Sequence, residues 1–210
     1  MDLMTLATQE RADLAAFLGT LEPAEWDAPT LCSQWRVRDV VAHVISYDDL
    51  AVRALLRRLA RGRFALDRAN AIGVSELAGL SPDALLGLLD RHLRPRGLTA
   101  AFGGMVGLVD GMIHHQDIRR ALGRPREIPA ERLLPALRRA LIAPPIGAIR
   151  RARGLRLVAT DHEWSHGRGP EVRGKAEAIL MAVAGRGAAV PELSGPGQRI
   201  LAARAGVASG

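Results

Sequence analysis

Cysteine is nearly missing from this chain: Cys32 is the only one in 210 residues. An internal disulfide is therefore excluded, which fits a reducing, cytoplasmic setting. Lysine is as scarce. Of 29 basic residues only Lys175 is a lysine, and with abundant alanine and glycine that bias reads as the codon usage of a GC-rich genome. Aromatic residues make up 3%, so the interleaved stacking platforms of a single-strand nucleic-acid binder are lacking. The arginines are scattered, with short clusters at Arg57-Arg58, Arg119-Arg120 and Arg150-Arg151. They alternate with apolar residues, as on the wet faces of amphipathic helices. The net charge of +7 is accordingly assigned to solvated helix faces, and no nucleic-acid partner is expected. No apolar run approaches the roughly 20 residues needed to span a bilayer. The first residues, Met-Asp-Leu-Met-Thr, carry early acids instead of a basic leader, so neither a membrane span nor a signal peptide is expected.

The hydrophobic share, 48%, is that of an ordinary globular protein. With so few aromatics, leucine, alanine and valine must fill the core, and leucine, alanine and arginine favour helix. Apolar residues at helical spacing predict a helix over 3–21 and a long one over 37–59, whose stripe runs through Val37, Val40, Val41, Val44, Ile45 and Leu55. Residues 61–80 carry Gly62, Gly73 and Gly79 and read as irregular. Ser81-Pro82-Asp83 predicts a helix start, with a serine cap and proline in the first turn, and that helix runs to about His92. Further helices are predicted over 105–122, capped by Gly123, and over 130–142. The composition then changes. Leu155–Ala159 alternates as a strand, 161–170 reads as loop, and 171–184 as helix. The fold expected is mainly α: a helical bundle over 1–150, then a small α+β domain over 151–210.

Three residues suggest chemistry. Asp110 and His114 are four apart and share one helix face. His43 lies within the apolar stripe of 37–59, where a buried imidazole requires a partner. A carboxylate and an imidazole from a facing helix could join it around a divalent cation. Two nitrogens and an oxygen suit zinc, with a fourth position left for water or a substrate sulfur; nickel, iron or manganese also fit such donors. On spacing alone, a hydrogen-bonded core histidine and an ordinary helix pair account for the same residues. His115 and Asp117 are alternative donors if the helix phase differs, but His115 has Gly111 one turn back where His114 has an acid; Asp117 otherwise supports a ligand from behind as an acceptor or pairs with Arg120. Cys32 could serve as a nucleophile or a metal ligand, but no arrangement marks it out, and it reads as a small buried residue. Trp26 and Trp35 pin the loop between them to the core or stack a substrate. Asp39, one turn before His43, either supports that histidine or serves the helix N-terminus.

His162-Glu163-Trp164-Ser165-His166 spells the HExxH pattern of zinc proteases. That motif needs a helix to bring both histidines to one face. A strand precedes it and Gly167, Gly169 and Pro170 follow, so no helix is expected, and it is read as a loop with Trp164 packed inward.

Two segments carry a family resemblance. Trp26-Asp-Ala-Pro-Thr-Leu-Cys-Ser-Gln-Trp35-Arg-Val-Arg-Asp39-Val-Val-Ala-His43 and Asp110-Gly-Met-Ile-His114-His-Gln-Asp117-Ile-Arg-Arg-Ala-Leu-Gly123 resemble the two motifs of the mycothiol-dependent maleylpyruvate isomerase family. That family is a branch of the DinB-like metal-binding four-helix bundles. Gly154–Asp161, Trp164, Gly169–Gly174, Ala184-Gly-Arg186 and Leu193-Ser-Gly195 resemble its small C-terminal domain. The resemblance implies a DinB-like four-helix bundle with metal held by His43, Asp110 and His114. It further implies mycothiol as cosubstrate, a small-molecule electrophile as substrate, isomerisation or transfer of the thiol as the reaction, and Arg186 as a contact for a substrate anion. Asp110 stands where the founding isomerases have glutamate, one methylene longer. A non-catalytic metal-binding or regulatory module and a metal-assisted hydrolase are the other functions such a bundle could serve.

Overall fold

The computed structural model describes residues 1–207. The chain forms two compact units, Met1–Pro125 and one that begins at Arg126. In the first, four helices close a ring. Helix α1 (Leu3–Leu18) and helix α2 (Val37–Ile45) each pack on both α5 (Pro82–Arg91) and α6 (Ala101–Ala121). This is the four-helix bundle expected. Its apolar centre draws Leu14, Phe17 and Leu18 from α1, Val37, Val40, Val41 and Val44 from α2, Leu85 and Leu89 from α5, and Ile118 from α6. Each buried aliphatic side chain of this kind stabilises the fold by about 1.5–3 kcal/mol. Asp2 caps α1 through the Thr5 amide and Ser81 caps α5 through the Ala84 amide. Gly123 ends α6 with a left-handed φ of 64°, the C-cap read from sequence. At the other end of α6, Phe102, Gly103 and Gly104 have left-handed φ, so the regular helix starts after them.

Two local expectations are corrected. The helix expected over 37–59 is broken: α2 stops at Ile45 and α3 (Val52–Arg61) starts after a turn. The break exists because Asp48 turns inward. Its carboxylate accepts from Arg11 Nη1 at 2.9 Å, Thr99 Oγ1 at 2.6 Å and the Arg96 amide at 2.9 Å. The region read as irregular instead holds α4 (Leu66–Leu77), which packs on α2 and α3. Gly73 lets it come close: a Cβ there would lie 2.8 Å from both Ser46 Oγ and an Arg58 nitrogen.

The second unit starts well before residue 150, the boundary suggested by composition. Helix α7 (Ala130–Ala140) packs on α9 (Ala176–Val183), which ties 126–150 to the chain that follows. After α8 (Ala148–Ala152), strands β1 (Arg156–Ala159), β2 (Ser165–Gly167) and β3 (Glu171–Gly174) form a sheet in the order β2-β1-β3. β1 is antiparallel to β2 and parallel to β3. The helix expected from 171 thus starts only at Ala176, since Val172 and Gly174 are buried as sheet residues beside β1. Helix α10 (Gln198–Arg204) packs on α8, α9 and β3.

Candidate metal centre

His43 and His114 are buried in the first unit, on α2 and α6, while the Asp110 side chain is 37% exposed and marks the side open to solvent. The three donor groups converge, with one ligand atom from each lying within 4.8 Å of the others. His43 Nε2 is 3.4 Å from both carboxylate oxygens of Asp110, and His114 Nε2 is 3.5 Å from Oδ1. The two imidazoles stand edge to face with centroids 4.7 Å apart.

Those separations discriminate between two kinds of contact. A charge-assisted hydrogen bond closes to about 2.7–2.9 Å. Donors around a tetrahedral zinc, each about 2.0–2.1 Å from the ion, lie about 3.3 Å from one another. Distances of 3.4–3.5 Å match the edges of such a tetrahedron and are long for direct hydrogen bonds. The residues therefore fit a divalent cation. His43 Nδ1 is buried with no hydrogen-bond partner among the described residues, so the polar demand of this ring is met only at Nε2.

The opposite nitrogen of His114 is fixed. Nδ1 lies 3.0 Å from Asp117 Oδ2, and the Asp117 side chain has no exposure. This places the proton on Nδ1 and leaves Nε2 for a cation, the usual arrangement of a carboxylate behind a metal-bound histidine. Without metal, burial works against the charged form of His114, but Asp110, Asp117 and Cys32 outweigh it and raise its pKa well above the ordinary value. For Asp110, burial acts upward, yet His43 and His114 beside it hold the carboxyl well below its ordinary range.

His115, the alternative donor, turns away. Its Nδ1 meets Glu10 of α1 at 2.9 Å and its Nε2 accepts from Arg119 Nε at 2.8 Å, both Glu10 and His115 being buried. Asp39 serves its helix end, accepting from the Arg36 amide at 3.0 Å.

The walls of the site include Trp35, read from the sequence as pinning a loop or stacking a substrate, and Tyr47, which the sequence reading did not single out. Trp35 lies over both imidazoles, 4.8 Å from His43 and 5.9 Å from His114. Tyr47 presents an edge to His43 at 6.3 Å and donates to Asn70 Oδ1 at 2.7 Å, with the Arg58 guanidinium 4.9 Å above its ring. Burial raises the Tyr47 pKa, against the pull of Arg58, which keeps the phenol protonated at neutral pH. Its position four residues after His43 was the signal available in the sequence. Trp26 is buried in the bundle core.

The first unit is similar to a known domain. Residues 7–96 match the family model of the mycothiol maleylpyruvate isomerase N-terminal domain. This is the family that the sequence motifs resemble. The match includes His43 and Trp35 and stops short of α6. Across the whole chain, a crystal structure of the mycothiol-dependent maleylpyruvate isomerase aligns with a TM-score of 0.54 at 16% identity, covering 92% of this chain and 91% of the other. A histidine-to-alanine variant of that isomerase aligns with a TM-score of 0.55 at 15% identity and the same coverage. At such identity the likeness is one of fold. No curated protein matches the sequence.

In the second unit, Arg186 donates to the Ala184 carbonyl at 3.0 Å. The HExxH histidines do not share a helix face: His162 sits in a turn and His166 on β2. Trp164 is buried, as expected, and stacks on His166 at 6.3 Å. A cavity of about 480 Å³ in this unit is lined by Arg150, Arg153, Arg168 and His166 among others, and by none of the three converging donors. No single helix among the described residues is long and apolar enough to cross a membrane.

Proposed function

We propose that this protein is a metal-dependent enzyme that uses mycothiol to attack an electrophilic small molecule. His43, Asp110 and His114 hold the cation, and zinc is the metal best matched to two nitrogens and one oxygen. The observation that carries the reading is the 3.4–3.5 Å separation of each imidazole from the Asp110 carboxylate, supported by the domain match over residues 7–96. When bound, the cation supplies Lewis acidity at its open position, where a coordinating thiol loses its proton.

The chain's own groups supply the rest. Asp117 keeps the His114 proton on Nδ1 and its ring aimed at the site. Trp35 and Tyr47 narrow the approach and exclude water, which strengthens the electrostatics within. The partly exposed Asp110 marks the entry.

The thiolate would add to an activated cis double bond, forming a carbon–sulfur bond and leaving a single bond free to rotate. Elimination would then break the carbon–sulfur bond and return the thiol, so isomerisation consumes no oxidant or reductant. If the adduct is protonated on carbon instead, the product is the thioether.

The test is turnover by zinc-loaded protein of a panel of activated cis-alkenes and other electrophiles, with and without mycothiol. Isomer or thioether that forms only with thiol supports the proposal. Hydrolysis products without thiol would point to the metal-assisted hydrolase instead. Stoichiometric metal with no consumption of any electrophile would favour a non-catalytic module.

A further inference from the structure

The loop that enters α2 bonds to Asp117 of α6 through both its backbone and a side chain. The Leu31 amide donates to the Asp117 carbonyl at 3.3 Å, and the Cys32 thiol donates to Asp117 Oδ2 at 3.0 Å. That oxygen is also the one facing His114 Nδ1 at 3.0 Å, and Cys32 Sγ lies 3.6 Å from the same nitrogen. One oxygen of a fully buried carboxylate thus receives donors from two separate segments. Shared acceptors of this kind fix both partners, because leaving either donor unmatched in a buried place is costly. Three residues beyond Cys32 the same loop places Trp35 over His43 and His114.

We infer that Cys32 is a positioning residue for the metal centre. Its thiol proton holds the Asp117 carboxylate against His114 and pins the Trp35 loop above the two imidazoles. This rests on the metal reading given above. Cys32, His114 and Asp117 also present donors within 4.8 Å of one another, so direct ligation by sulfur is the competing role. The geometry favours the indirect one. A neutral imidazole can bind a cation through one nitrogen only while the other keeps its proton, and Nδ1 already faces Asp117 at hydrogen-bond distance.

The test uses the full chain loaded with cobalt(II) for absorption spectra, and with zinc for affinity by chelator competition. Loss of a group that orients a ligand typically costs 10–100-fold in metal affinity. Cys32 acts through Asp117, so Cys32→Ala is expected near the low end, about tenfold, with altered cobalt d–d bands. Cys32→Ser keeps a donor and should restore both. Iodoacetamide offers a route that does not depend on a variant folding. It can alkylate only this thiol, the single cysteine of the chain, forming a thioether and releasing iodide, and should reproduce the Cys32→Ala loss. If Cys32→Ala and the alkylated protein keep wild-type affinity and spectra, the inference is wrong. A near-ultraviolet sulfur-to-cobalt charge-transfer band that vanishes in Cys32→Ser would make Cys32 a ligand and overturn it equally. A wild-type chain that binds no more metal than His43→Ala would instead remove the metal reading beneath it.

Discussion

Metal binding should release about one proton per ion at neutral pH, and the His114 environment sets that number. In the metal-free protein His114 lies against Asp110 and Asp117, with Cys32 beside it, and these raise its pKa well above 6.5 despite its burial. It is therefore an imidazolium at pH 7, and a cation at Nε2 must displace a proton. Asp110 is held well below 3.8, so it is already ionised and releases none. Across the range where His114 is protonated, apparent metal affinity should rise about tenfold per pH unit, equivalent to about 1.4 kcal/mol. Calorimetric titration with zinc at pH 7, repeated in buffers of different ionisation enthalpy, measures this directly. The slope of observed enthalpy against buffer enthalpy is expected near one proton. The same linkage has a stability consequence. A raised histidine stabilises the fold fully below its ordinary 6.5, and that contribution disappears as pH climbs through the raised value. A depressed carboxylate stabilises above its ordinary 3.8, and loses that effect as pH falls through the lowered value. Without metal, the contribution of this pair should be complete between about pH 4 and 6.5 and decline toward alkaline pH, where the metal-loaded form gains instead. Zinc binding with no proton release at pH 7 would refute the reasoning.

Other expectations separate structure from chemistry. His115→Ala removes the 2.9 Å partner of the buried Glu10 and should destabilise by about 1–3 kcal/mol in denaturant unfolding, with metal content unchanged. Arg11→Ala removes the buried partner of Asp48, 2.9 Å away, and should cost about 3–5 kcal/mol by the same measurement. A doubly substituted His162→Ala, His166→Ala chain should keep its full metal stoichiometry by elemental analysis, because those residues lie on a turn and a strand.

The sequence made the bundle legible where periodicity and caps agree, as in the stripe of α2 and the Ser81 and Gly123 boundaries. It failed where a distant partner decides. Nothing local to Asp48 reveals that Arg11 and Thr99 pull it inward and so end α2. Gly73 reads as a breaker, whereas here it allows close packing within α4. The pairing of 126–150 with α9 was equally invisible to composition. For the site, the spacing of Asp110 and His114 placed both on one face, and the apolar setting of His43 marked it as needing a partner. The choice of His114 over His115 rested on the acid one turn back. What turns His115 away is Glu10, 105 residues away in the chain. A supporting acceptor at Asp117 was one of two readings the sequence allowed; the contact of Cys32 with that carboxylate depends on how the loop packs on α6, which residue spacing does not record.

The central claim is that α2 and α6 together hold one cation. Elemental analysis of the purified, zinc-reconstituted chain beside His43→Ala and His114→Ala measures it most directly. One zinc per wild-type chain, with little or none in either variant whose fold is intact by circular dichroism, is the expected result. Equal zinc in all three, or none in the wild type, would contradict the account.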